Sequence, residues 1–372
     1  MEDFKSEVII ESPGRINLIG EHIDYNGGNV LPAAINLKIT LSFRKNDKIL
    51  SSVWSKNYNV GFSFDSNNVK KSDKEWENYI LGVVYQINII EPNFIKGFDC
   101  IIDSKLPIGA GISSSAALEC GMAKGLNELF KIGLTDEQII SLSRNAEHTF
   151  IGTKCGIMDQ FAVVRGVKNC LIHLNCKTEL YEIIEADFSP YSILLLNTNV
   201  SHNLATSEYN KRQAECNIAL QKIRLKYPEY EFLADVPQNT VEEFKNKLPK
   251  ETYDRALFVS QENSRVFMAV EAIKAKSFKE FGNLMYESHD GLQNLYNVSC
   301  KELDFLVEYS KGTNYILGSR MMGGGFGGCT INLIHQDFVE EYIRRVSIAY
   351  KEQFKIELTS IMVTIGDGVH CY

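Results

Sequence analysis

The sequence predicts a mixed α/β (α+β) protein of two domains, on three observations. Residues 97–103 read as a short strand, followed by a glycine- and serine-rich turn and then a helix over 116–130. Alternating and β-branched residues over 37–43 and 49–64 read as further strands, whereas 226–300 carries apolar residues at helical spacing under charged faces. A length of 372 residues suggests about two domains. The boundary is expected near the buried-strand run at 192–198, giving an amino-terminal unit 1–185 and a carboxy-terminal unit 186–372.

Composition narrows the class. The chain is 44% hydrophobic and 23% charged, as in soluble globular proteins. No apolar run reaches 18 residues, so no membrane-spanning helix is expected. The charged start, Met1-Glu2-Asp3-Phe4-Lys5, lacks the apolar core of a secretory signal. Nine cysteines without paired spacing predict reduced thiols and a cytoplasmic location, and none is spaced with histidine as in a zinc site. A formal net charge of −8 disfavours nucleic acid as a partner.

Taken in order, residues 8–11 read as a strand that runs into the segment 12–35. There Arg15, Glu21, His22 and Asp24 stand among glycines, with Ile16, Leu18 and Ile19 between them. Two carboxylates, an imidazole and a guanidinium in a turn-rich segment suit a ligand with several hydroxyls. Carboxylates accept from hydroxyl groups, and arginine stabilises phosphate charge. A solvated polar loop with incidental ion pairs reads equally well from spacing alone. Residues 63–74 are polar and read as a loop, and 76–85 has helical periodicity, so Trp76 and Tyr79 read as core more than as ligand contacts.

The run Leu106-Pro107-Ile108-Gly109-Ala110-Gly111-Ile112-Ser113-Ser114-Ser115-Ala116-Ala117-Leu118 organises the rest. A strand, a glycine turn and a helix start together make an anion site, because free backbone N–H groups and the helix dipole converge there. A single serine would read as an ordinary N-cap. Three serines after Gly109-Ala110-Gly111 exceed what capping needs, and a phosphate cradle follows. The run is not a P-loop, since no lysine follows Gly111, nor a nucleophile elbow, since Ser115 stands where that motif needs glycine.

Thr135 and Gln138 form a capping box that opens a helix carrying Arg144, Glu147 and His148. Asp159 follows the turn at Gly156, between apolar Met158 and Phe161. A partly desolvated carboxylate there could orient or deprotonate a hydroxyl, though alone it reads as a helix cap. A long helix is expected from Ser201-His202-Asn203-Leu204 through Arg212, including Tyr209. Gly323, Gly325 and Gly328 fit a dinucleotide fingerprint, but 330–334 reads as a strand where that motif requires a helix. A glycine turn between elements that admits a phosphate or sugar fits better.

Three glycine-rich motifs in this order resemble those of the GHMP small-molecule kinases. Gly14-Arg15-Ile16-Asn17-Leu18-Ile19-Gly20-Glu21-His22-Ile23-Asp24-Tyr25 is similar, nearly letter for letter, to the signature of the galactokinase family within them. Further resemblances fall on Trp76, Tyr79 and Gly82, on Ala146-Glu147-His148, on Cys155 through Phe161, on Ser207-Glu208-Tyr209 and on Val298-Ser299-Cys300. The resemblance spans roughly 8–370 and implies a two-domain GHMP kinase fold with the active site in the interdomain cleft.

It further implies, residue by residue, that the sugar lies on Arg15, Glu21, His22, Asp24, Gly156, Asp159 and Tyr209. Asp159 would be the catalytic aspartate and Arg15 the arginine beside it. ATP would lie on Gly109, Gly111, Ser113, Ser114 and Ser115, with Trp76 and Tyr79 at the adenine and Gly323 and Gly324 in the third motif. Mg2+ would be held by Ser115 and Glu147. Inactive sensors of the family lack a Ser-Ala pair in the second motif, which is intact here as Ser113-Ser114-Ser115-Ala116-Ala117. The implied partners are a small-molecule sugar and ATP, without nucleic acid or membrane, for a monomer or weak homodimer. Alternatives are a kinase preferring N-acetylgalactosamine and a non-catalytic sensor of galactose and ATP.

Overall fold

A computed structural model describes residues 4–92, 94–107, 109–201 and 205–372. Ile108 of the glycine–serine loop and His202, Asn203 and Leu204 at the expected helix start lie outside the described residues. The first half comprises β1 (Val8–Asn17), β2 (Asn29–Val30), β3 (Pro32–Lys45), β4 (Leu50–Ser55), β5 (Val60–Asp65), α1 (Glu75–Ile90), β6 (Phe98–Ser104), α2 (Ser114–Phe130), α3 (Asp136–Ala146), α4 (Met158–Arg165), β7 (Cys170–Asn175) and β8 (Tyr181–Glu185). The second comprises β9 (Tyr191–Ser201), α5 (Ala205–Arg224), α6 (Gln238–Glu242), α7 (Lys250–Lys274), α8 (Phe278–Gly291), α9 (Lys301–Lys311), β10 (Ile316–Met321), β11 (Gly327–His335), α10 (Val339–Phe354), β12 (Thr359–Val363) and β13 (His370–Cys371).

Three sheets result. The largest has the order β13-β1-β3-β6-β4-β5, antiparallel except where β4 meets β6. A four-stranded antiparallel sheet, β10-β11-β9-β12, is built from the second half, and β2-β7-β8 form a third. Strand β13 crosses back to the first sheet, where Ile10 faces Cys371 and Glu11 faces His370. Among the described residues no helix is long and apolar enough to cross a membrane, and all nine cysteines are free thiols.

Helix α2 is pressed against the large sheet at two small residues one turn apart. A Cβ on Gly121 would overlap Leu41 and Ser12, and one on Gly125 would overlap the Phe43 ring. Ala116, Ala117, Cys120 and Met122 of the same helix are also buried, Cys120 with its sulfur 3.9 Å from the Gln160 carbonyl of α4. Burying each large apolar side chain contributes about 1.5–3 kcal/mol, so the helix start, and the loop before it, are fixed relative to β1. A second apolar cluster joins Leu194 and Leu196 of β9 to Leu306 of α9 and to Tyr342, Val346 and Tyr350 of α10.

The predicted elements appear with shifted ends. The strand expected at 8–11 continues to Asn17, because a bulge between Pro13 and Arg15 lets it resume pairing with Ala33 and Ala34. Helix α2 begins at Ser114 rather than residue 116. The capping box of Thr135 and Gln138 is formed at α3. That helix ends at Ala146, so Glu147 opens a single π-helical turn, Glu147–Ile151, where the sequence suggests a continuous helix. After the third glycine motif comes β11, the strand expected there.

Candidate active site

The bulge in β1 turns Arg15 toward the glycine–serine loop. Its backbone N–H donates to the Ile112 carbonyl at 3.0 Å, and its Nη1 to the Gly111 carbonyl at 2.6 Å. The rest of the guanidinium forks onto Asp159, Nε to Oδ1 at 2.7 Å and Nη2 to Oδ2 at 3.0 Å. Such a bidentate pair fixes direction as well as charge. Burial opposes the Arg15 charge, yet Asp159 and Glu21 outweigh it and hold the guanidinium more firmly protonated than usual.

Asp159 lies in the first turn of α4. Its Oδ2 also accepts from the Ser113 hydroxyl. This separates Ser113 from the ordinary N-cap reading. The residue sits at the N-cap position of α2 in the left-handed region, φ 56°, and its side chain makes no cap bond. The hydroxyl that would have satisfied the helix start instead orients a carboxylate. The first N–H groups of α2 are thus left for an anion, and no acidic side chain occupies that turn.

The two glycine loops meet backbone to backbone. Gly111 and Gly323 both adopt positive φ, 68° and 83°. A Cβ on Gly323 would stand 3.0 Å from the Gly111 carbonyl oxygen. Glycine is required here for conformation and approach alike.

Glu21 and Asp24 provide further acceptors. Glu21 is buried, and its Oε1 accepts from Arg320 Nη2 at 3.0 Å and from the Gly323 N–H at 2.8 Å. Arg320 is fully buried in β10; its other donors reach the carbonyls of Leu18 at 2.9 Å, Met321 at 2.6 Å and Asn17 at 2.7 Å. Gly20, before Glu21, donates its N–H at 2.9 Å to the buried Glu262 of α7. Burial, then the charges of Asp159 and Glu21, push the Asp24 carboxyl up to about 7. Gly156 lies against that carboxylate so closely that a Cβ would overlap it. His22 has φ 62°, uncommon for a side chain of this size and often a mark of a functional segment.

One cavity is lined by Arg15, Glu21, His22, Asp24, Asp159, Tyr209, Gly323 and Gly324, joined by Cys155 and Met158. A second gathers Trp76, Tyr79, Ser114 and Ser115, together with Tyr58, Leu106 and Leu118. Trp76 also packs edge-to-face on Phe62 at 5.2 Å, as the core reading expects. Ser113, between the two groups, links the loop to Asp159. The first cavity is polar and rich in acceptors, the second largely apolar, and the loop of Gly109 and Gly111 stands at the anion end of α2.

Glu147 is buried, with Oε2 accepting from Gln160 Nε2 at 3.2 Å and facing the Cys155 thiol at 3.6 Å. Burial and then Asp159 push its carboxyl up to about 7. Among the described residues no cation pairs with it. The Arg15 charge acts against that burial, and a carboxylate and the Ser115 hydroxyl are each hard-oxygen ligands of the kind a divalent cation takes.

Arg320 escaped the sequence reading, as did Cys155 and Met158 as lining residues. A signal for Arg320 was present: a lone charge inside an apolar strand just before glycines must be buried with partners.

Fold and site together define a small-molecule kinase of the GHMP class. The description "GHMP kinases N terminal domain" matches residues 78–167, "GHMP kinases C terminal" matches 269–352, and "Galactokinase galactose-binding signature" matches 1–45. The galactokinase of Clostridium acetobutylicum is 38% identical over 368 residues, covering 97% of this chain and 94% of its own length. That of Thermotoga neapolitana is 38% identical over 367 residues, covering 97% and 99%. The chain belongs to the galactokinase family. In three dimensions it is similar to the Lactococcus lactis galactokinase complexed with galactose, with a TM-score of 0.93 at 33% identity over 98% of this chain and 95% of that one. The Methanococcus jannaschii mevalonate kinase shares the fold, with a TM-score of 0.67 at 20% identity over 98% and 100%.

Proposed function

We propose that the protein transfers the γ-phosphoryl group of ATP to the anomeric hydroxyl of D-galactose, giving galactose 1-phosphate and ADP. The observation that carries this reading is the Arg15–Asp159 fork. It stands between an acceptor-rich cavity and an anion-binding helix start, and is tied to the loop through Ser113 and Gly111.

Sugar hydroxyls would donate to Glu21, Asp24 and Asp159, with His22, Gly156 and Tyr209 completing the wall. Phosphates would lie on Gly109, Gly111, Ser113, Ser114 and Ser115 against Gly323 and Gly324, with the adenine by Trp76 and Tyr79. Asp159 accepts the proton of the anomeric hydroxyl as its oxygen bonds to the γ-phosphorus and the bond to the ADP oxygen breaks. Arg15 holds Asp159 in line and offsets charge on the transferring group. Ser115 and Glu147 would hold Mg2+, which when bound neutralises phosphate charge. This reading also puts the enzyme in the cytoplasm, where ATP is available and nine free thiols stay reduced.

The test is ADP release by the purified protein with ATP and magnesium, offered galactose, N-acetylgalactosamine, glucose and mevalonate separately. Turnover with galactose is expected. Preference for N-acetylgalactosamine would overturn the substrate and keep the chemistry, and binding of galactose and ATP without turnover would mark a sensor.

A further inference from the structure

A chain of hydrogen bonds runs from His22, which lines the same cavity as Arg15 and Asp159, back into the buried interior. His22 Nε2 lies 3.1 Å from the Gly324 carbonyl, and His22 Nδ1 lies 2.8 Å from the Tyr25 hydroxyl. The Tyr25 hydroxyl is 2.8 Å from that of Tyr296, and Tyr296 is 3.1 Å from the Cys216 sulfur. His22, Tyr296 and Cys216 are all buried. The chain thus joins the amino-terminal segment, the third glycine loop, the turn after α8 and helix α5.

Proton bookkeeping gives the chain a direction. A carbonyl only accepts, so His22 Nε2 carries the hydrogen. In a neutral ring Nδ1 must then accept, and Tyr25 donates to it. With its one proton spent, Tyr25 can only accept from Tyr296, whose hydroxyl in turn accepts from the Cys216 thiol.

We propose that Tyr25 and Tyr296 are positioning residues for the sugar site. Their ordered hydrogen bonds hold His22 as the neutral Nε2–H tautomer, which clamps the Gly324 carbonyl at the edge of the cavity.

The surroundings favour the neutral ring. Burial, and then the nearby charges of Arg212 and Arg320, bring His22 down to about 3. Tyr209 and Arg212 face it from α5, Tyr296 from the turn after α8, and Arg320 from β10, while Glu21, Asp24 and Tyr25 belong to its own segment. Arg212 is itself fixed by donating to the Tyr296 carbonyl at 2.9 Å, so the cation and the phenol that govern His22 move together.

The inference rests on reading this cavity as the galactose site, and one arm of its test does not need turnover. In protein labelled with 15N-histidine, the His22 ring is identified by the signal lost in His22→Gln. It should show the Nε2–H tautomer unchanged from about pH 6 to 8. Tyr25→Phe should move its protonation to higher pH, because Nδ1 loses its donor. In the same variant the galactose KM should rise about three- to tenfold with kcat within about twofold, as for a lost hydrogen bond used in binding rather than chemistry. Tyr296→Phe should act in the same sense but less, since Tyr25 keeps its own proton for His22. An Nδ1–H or doubly protonated ring in the unmodified protein would overturn the proposal. So would an unchanged KM in folded Tyr25→Phe and Tyr296→Phe, or a kcat that falls as far as KM rises. Absence of galactose turnover in the unmodified protein would instead overturn the function and leave the tautomer to be read on its own.

Discussion

Arg320 and Glu21 lie 299 residues apart in sequence and 3.0 Å apart in space, both closed off from solvent. The pair joins the strand before the third glycine motif to the sugar signature. Because Gly323 shares the same carboxylate oxygen, it also sets the loop against the signature. Removing one partner of a buried pair leaves an uncompensated charge. Arg320→Met is therefore expected to cost about 3–5 kcal/mol of stability and to raise the galactose KM. Denaturant unfolding checks this, and adding Glu21→Gln should recover part of the stability while leaving galactose binding poor.

Asp159→Asn keeps the shape of the site and removes the acceptor. The expected fall in kcat is about 10²–10⁴-fold, with a smaller change in galactose affinity measured by calorimetry. An unchanged kcat would remove the base role. Arg15→Lys should also slow turnover, because an ammonium cannot fork across both oxygens of Asp159.

Gly156→Ala tests the packing of the sugar wall. Its Cβ would overlap the Asp24 carboxylate and push that group from its place. We expect a rise in galactose KM of at least about tenfold, the effect of losing one charge-assisted hydrogen bond, with little change in ATP KM. Steady-state kinetics with each substrate varied in turn separates the two.

Asp24 gives a pH signature. With its carboxyl pushed up to about 7 by burial and neighbouring carboxylates, much of it is protonated near neutrality in the sugar-free protein. Hydroxyls donating to it favour the charged form. Galactose binding near pH 7 should therefore release protons, and affinity should weaken as pH falls below 7. Calorimetry in two buffers of different ionisation enthalpy measures the release, which should vanish in Asp24→Asn. The sign for stability is opposite. A carboxyl raised above its unfolded value makes the sugar-free fold less stable as pH rises from about 4 to 7, and thermal melts across that range should show the loss.

What the sequence made legible was local. The Thr135 capping box, the strand after Gly328 and the helix behind the serines follow from residue type and spacing within a few positions, and each is present. The continuation of β1 to Asn17 was not legible, because it depends on pairing with Ala33 and Ala34 across a bulge. Nor was the π-turn at Glu147, which replaces a helix the periodicity would have continued.

The site divides in the same way. Residue type alone left Arg15, Glu21 and Asp24 open to a polar-loop reading and Asp159 to a helix-cap reading, and only the serines after Gly111 exceeded an ordinary cap. Their pairing was not legible: Ser113 donates to Asp159 instead of capping its helix, and Arg320 and Tyr296 act across most of the chain's length. Long-range partners leave no spacing to read.

The return of β13 to β1 has a consequence for biosynthesis. In the finished protein β13 covers the outer edge of β1, pairing Cys371 with Ile10. Ribosomes release β1 first and β13 last among these elements. At roughly 5–20 residues per second, the edge stays open for roughly 20–70 seconds. Throughout that interval a row of unpaired backbone groups faces outward beside Ile9 and Ile10, ready to pair with a neighbouring nascent chain on the same message. The sheet that anchors Arg15 is thus begun first and closed last, and translation, more than the finished fold, is the stage at which this protein is most exposed to misassembly.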